Sequence, residues 1–186
     1  MKHVRLLYLL IPVFFIYSCG KNDAPVTLAP VLPVDTAKID VSNQYGFNTS
    51  GSTLYMNNHD SQWRAKHFTV EELGLFASLD TVDLSSATFP GAVTDNGFVF
   101  MYPNPFFNYF ACFKKLPPGF AGQVVLKMVI ADSMLHPLFA KHARITANQH
   151  LQIMPGLAAG RYRLYYTLSA PTHEHFYQSW GNVQAL

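Results

Sequence analysis

Residues 161–170 read Arg-Tyr-Arg-Leu-Tyr-Tyr-Thr-Leu-Ser-Ala, and their period of two decides the fold. Tyr162, Leu164, Tyr166, Leu168 and Ala170 fall on one side of an extended chain, while Arg161, Arg163, Thr167 and Ser169 fall on the other. Such alternation predicts a strand with one face in a core and one in water. Gly160 ahead of it and Pro171 behind it set its ends. Working outward, residues 123–131 (Gln-Val-Val-Leu-Lys-Met-Val-Ile-Ala) are apolar on both sides except at Lys127, the pattern of a central strand. Phe98, Phe100 and Tyr102 alternate on one face. Residues 109–113, 149–154 and 175–180 are further strands, with 54–57 and 80–84 as weaker ones. Only residues 70–78, following Thr69 and starting with Glu71 and Glu72, offer a short helix, and Gly74 leaves an interrupted strand pair as the alternative. About seven or eight strands over residues 51–186 predict an all-β, immunoglobulin-like antiparallel sandwich, with a small β-barrel as the alternative.

Composition agrees. The chain has 186 residues, of which 49% are hydrophobic, 15% aromatic and 13% charged. That hydrophobic share excludes a disordered chain, and an aromatic-rich, charge-poor chain favours strands. With 13 basic against 11 acidic residues spread along the chain, there is no electrostatic case for nucleic acid.

The first 18 residues read as an address. Lys2 and Arg5 precede an uncharged run from Leu6 to Ile16, too short to cross a bilayer and the right length for a secretory signal. Ile16-Tyr17-Ser18-Cys19-Gly20 follows, and it resembles the bacterial lipobox. The resemblance implies cleavage before Cys19, a diacylglycerol on its thiol and a further acyl chain on the new amine. Two or three chains pass the threshold for stable anchoring, at about 0.8 kcal/mol per buried CH₂. The expected organisation is therefore a signal peptide over 1–18, a lipidated Cys19 and tether over 19–50 containing Pro25, Pro30 and Pro33, and a single sandwich over 51–186. Once Cys19 is acylated, no second thiol is left in this sequence to form a disulfide with Cys112, which reads as a buried, inert thiol.

Tyr102-Pro103-Asn104-Pro105-Phe106 is the most distinctive local motif. Its two prolines remove two backbone donors, so a strand ending at Tyr102 cannot continue its ladder. Together with Gly160-Arg161-Tyr162 and the alternating strand, it resembles the C-terminal sorting domain of type IX secretion cargo. Residues 101–186 match that family in length and order, which implies a small β-sandwich and recognition by an export machinery.

Chemistry-bearing residues are sparse. His173 and His175 are the candidate metal ligands, since two residues apart on a strand put both rings on one side. The other histidines beyond the signal segment, His59, His67, His136, His142 and His150, are scattered, and no metal or other cofactor is expected. Neither a nucleophile elbow, a phosphate loop nor a paired-carboxylate pattern is present in the sequence, so no catalytic residue is assigned. Among the aromatics Trp63, Tyr55, Tyr165, Tyr177 and Trp180, Tyr165 is the candidate for an exposed, ligand-binding ring, because it lies on the polar side of the cleanest strand. The expectation is a non-enzymatic, lipid-anchored module of the outer membrane with envelope proteins or glycans as partners. The alternatives are a type IX secretion cargo or component and a small metal-dependent enzyme.

Overall fold

The computed structural model describes residues 36–42, 45–47, 53–56, 62–91, 93, 99–114, 116–147 and 149–186. Residues 1–18, Cys19, most of the tether, His59 and Asp95 lie outside them. Asp35–Leu186 forms one compact unit.

Strands β1 (Tyr45–Phe47) and β2 (Thr53–Met56) make a separate two-stranded ribbon. The remaining seven strands form the sandwich. Strands β3 (Val99–Tyr102), β4 (Phe110–Lys114) and β7 (His150–Ile153) form one antiparallel sheet in the order β3-β4-β7. Strands β5 (Val124–Ala131), β6 (Pro137–Ile145), β8 (Gly160–Ala170) and β9 (His173–Ala185) form the other, in the order β6-β5-β8-β9. In sandwich order, the first, second and fifth strands share a sheet and the fourth sits on the third. This is immunoglobulin-like connectivity with the fourth strand moved across to the second sheet. The sheets do not close into a barrel. The tyrosine corner typical of that fold is present too: the Tyr162 hydroxyl, near the start of β8, donates to the Ala158 carbonyl at 2.9 Å.

Every strand expected from sequence except residues 80–84 has a counterpart. Residues 80–84 follow a single turn of 3-10 helix (Ala77–Leu79) and pair with no strand. Conversely, β6 is present where no strand was anticipated. It begins at a proline, mixes Lys141, His142 and Arg144 with apolar residues, and faces solvent along most of its length, so neither a period of two nor an apolar run marks it. The ambiguity at 70–78 resolves as helix α1 (Val70–Gly74). Thr69 and Glu72 close a reciprocal capping box, with Glu72 N–H donating to Thr69 Oγ1 at 3.2 Å and Thr69 N–H donating to Glu72 Oε2 at 2.9 Å.

The main core lies between the two sheets. Leu126, Met128 and Ile130 of β5 and Leu164, Tyr166 and Leu168 of β8 meet Phe110, Cys112 and Ile153 of the smaller sheet. The opposite face of the four-stranded sheet is not in water. The segments 36–42 and 62–89 lie over it, and Phe68, Leu75, Phe76 and Leu79 pack on Val129, Ala131, Tyr165 and Trp180. A smaller cluster of Ala87, Val125 and Ala170 continues the cover. The expectation that one face of residues 161–170 is solvated is therefore overturned: Arg163, Tyr165, Thr167 and Ser169 are all buried. Alternation reports which side chains share a face, and a third layer decides whether that face is wet.

Candidate functional site

The covered face of β5, β8 and β9 gathers most of the buried polar chemistry in two groups. At its lower end, Arg163 Nε donates to Asn182 Oδ1 at 2.8 Å, across the β8–β9 pair. Arg163 Nη2 and Asn182 Nδ2 both donate to the Asp40 carbonyl, tying residues 36–42 onto the sheet. The guanidinium carbon stands 3.8 Å from the centre of the Trp180 ring, and Lys66 approaches the same ring at 5.4 Å. Beneath α1, Glu72 is buried, and its Oε1 faces Lys66 Nζ at 3.6 Å.

Tyr165 stands beside this group and is fully buried, which corrects its sequence assignment as an exposed ring. Phe68 meets it edge-on at 5.4 Å. Burial, only partly offset by the Arg163 charge, pushes the phenol up to about 12, so it is neutral and closed to ligands from solvent. Trp63, Tyr177 and Trp180 are buried as well, whereas the side chain of Tyr55 lies outside the described residues.

The second group centres on Lys127, the lone charge in the apolar run of β5. Its side chain is fully buried, and Nζ reaches Glu174 Oε1 at 2.6 Å. Glu174 follows the tight β8–β9 hairpin, in which Ala170 pairs with His173. His175 has φ of 53°, which breaks the alternation on which the paired-histidine reading depended. The two rings consequently part. His173 stacks on Phe89 at 3.8 Å and 7°, and His175 tilts against Phe76 with Nδ1 3.0 Å from Thr167 Oγ1. The structure brings His175 together with Asp80 and Glu174, whose ligand atoms lie within 4.8 Å of one another.

Electrostatics determine what that trio can do. A hydrogen bond from Lys127 holds Glu174 below the ordinary carboxylate range. Burial, with the Lys127 charge next, holds His175 below its ordinary range, against smaller opposing pulls from Glu174 and Asp80. A neutral imidazole and two carboxylates suit a divalent cation, but the ammonium already sits against Glu174 and repels a second cation.

His67, His142 and His150 are exposed, with Tyr102 Oη 2.9 Å from His150 Nδ1. His136 is held 3.0 Å from Asp132 in the β5–β6 turn. Two concavities accompany these groups. A shallow groove of about 410 Å³ runs between residues 37–42, Ser133 and Arg161, and a small cleft of about 150 Å³ lies between residues 65–67 and His175–Gln178. Neither contains the Lys127 ammonium or the Arg163 guanidinium. Compared with models of known protein families and with curated proteins, the chain matches none.

Sequence reasoning missed both buried groups. For Lys127 the signal was present, a single charge within a strand otherwise apolar on both sides. For Arg163 it was misleading, since a charge on the polar side of an alternating strand ordinarily points to water.

Proposed function

We propose that this chain is a lipid-anchored, non-catalytic accessory module of the bacterial outer membrane, whose partners are envelope proteins or glycans. The observation that carries the reading is the uncharged Leu6–Ile16 run ending in Ile16-Tyr17-Ser18-Cys19-Gly20, ahead of an immunoglobulin-like sandwich. Sandwiches of this type serve widely as scaffolds that present loops to a partner. The buried polar groups support the same reading, because Arg163, Asn182, Lys127 and Glu174 bond to one another or to main chain. They tie the covering segment and neighbouring strands together.

Palmitate labelling of cells carrying wild type or Cys19→Ala, followed by protease treatment of intact cells, tests this. Label on wild type alone, with release of Cys19→Ala from the membrane, is the expected result, and degradation by external protease would place the domain at the surface. Absence of label from wild type overturns the anchor.

A second reading, as type IX secretion cargo or a component of that system, is favoured by one feature. The seven sandwich strands occupy residues 99–185, almost the segment 101–186 that carries the resemblance. Fusing residues 99–186 behind a signal peptide and a reporter, in a host with that machinery, tests it. Export of the reporter only when the machinery is intact supports this reading.

A further inference from the structure

We infer that one pole of the sandwich is a membrane-docking surface, with the interfacial region of a phospholipid bilayer as its occupant. The inference rests on the anchor at Cys19 proposed above and adds an orientation and a contact surface to it.

The register defines the pole. Phe110 at the start of β4 pairs with Ile153 at the end of β7. Phe106 bridges to Ala185 at the end of β9, which pairs with Gly160 at the start of β8. Ala131 at the end of β5 pairs with both Arg163 and Pro137, the latter opening β6. Six large hydrophobic residues are exposed among the described ones, and five of them, Phe107, Tyr109, Leu138, Met154 and Leu186, flank or open these strand ends. Phe107 and Met154 are 73% and 67% exposed. The sixth, Val70, starts α1. Large apolar side chains gathered at one end of a domain mark an interaction surface, and aromatic rings favour the headgroup level of a bilayer.

The chain enters the domain at this same pole. The amides of Lys38 and Ile39 donate to the Ser133 carbonyl in the β5–β6 connection, and Arg161 donates to the Ser42 carbonyl. Seventeen residues separate Cys19 from Thr36, so whatever their conformation the anchor lies within about 60 Å of this pole. The opposite pole lies farther off by the length of β5, roughly 26 Å for its eight residues. Because the chain enters at this pole, an anchor at Cys19 tethers this end of the domain rather than the opposite one. Lys38 there is paired with Glu71, and Asp40 and Asp132 lie at the same pole as Arg161, so it carries no excess of basic charge and contact is by apolar insertion rather than attraction to anionic headgroups.

The test uses the mature chain acylated at Cys19 and reconstituted into phosphatidylethanolamine/phosphatidylglycerol vesicles. Spin labels are placed at Phe107→Cys and, at the far pole, at Ala121→Cys; both positions tolerate a label because they are exposed. Accessibility to oxygen relative to a water-soluble nickel chelate is read by power saturation. At residue 107 the ratio is expected to exceed that at 121 by at least about threefold, to be insensitive to added salt, and to fall to the value at 121 when Met154 and Leu186 are both changed to Asp. Protein that sediments with vesicles while both labels stay equally open to nickel overturns the docking surface and leaves the anchor intact. Protein that fails to sediment overturns the anchor and the docking together.

Discussion

Lys127 and Glu174 form an unequal pair: the ammonium is fully buried, whereas the carboxylate is about half exposed, at 48%. Their removal should accordingly be asymmetric. Glu174→Ala strands a buried charge and is expected to cost about 3 kcal/mol, whereas Lys127→Met lets Glu174 rehydrate and should stay within about 1 kcal/mol of wild type. Urea denaturation of both variants checks this, and equal losses would mean that the pair is stabilised mutually. His175 gives the same cluster a pH dependence. Its folded-state pKa lies below the ordinary 6.5, so the unfolded chain binds a proton that the folded one refuses. Stability from this group is present above pH 6.5 and is lost as pH falls from there toward the lowered value. Glu174, depressed below 4.5, adds a second loss as pH falls through its own range. Melting temperature should therefore decline on acidification from neutrality, and His175→Asn should remove the first part of the decline. A profile unchanged by His175→Asn would contradict the lowered imidazole.

At the scale of elements, the outer edge of β9 is where the fold protects itself. An open strand edge is a template for unwanted pairing, and here successive groups are taken up. The carbonyls of Gln178 and Trp180 accept from the amides of Lys66 and Trp63, and the amide of Asn182 donates to Gln62 Oε1. Asn104, the residue between the two prolines, supplies both halves of a ladder rung with its side chain: Nδ2 donates to the Asn182 carbonyl at 3.0 Å, and Oδ1 accepts from the Gln184 amide at 2.9 Å. The prolines lack backbone donors, and the asparagine amide replaces them. Asn104→Ala should cost about 1–3 kcal/mol by removing both hydrogen bonds from a buried and a partly buried main-chain group, and thermal unfolding measures it. Gly181 serves the same edge. A Cβ there would meet the Trp63 ring at 2.0 Å, so Gly181→Ala must displace the indole, at an expected cost of about 1–3 kcal/mol or more. Fluorescence of Trp63 and a urea midpoint report it together.

On the scale of the whole domain, the sandwich carries a third layer. Residues 36–42 and 62–89 cover the second face of the four-stranded sheet, so β5 and β8 are paired on both edges and packed on both faces. Amides of these two strands should exchange slowest of the chain, and those of β6, an outer strand largely open to solvent, much faster. Fast exchange in β8 would show that the cover opens independently of the sandwich.

The sequence by itself determined the all-β class, the position of most sandwich strands and the face that residues 162–169 occupy, because a period of two is written locally by backbone geometry, whereas Ala170, past the register shift after Leu168, joins the cover cluster. The capping-box residues at Thr69 and Glu72 were also legible, being contacts between near neighbours. Only the tertiary structure decided that the polar face of β8 is buried, that Tyr165 is closed to solvent, that His175 turns away from His173 toward Glu174, and that Lys127 is fully buried. Each of these depends on segments separated by tens of residues, such as Asp40 on Arg163 and Phe68 on Tyr165, and a contact between distant segments leaves no periodic trace in either.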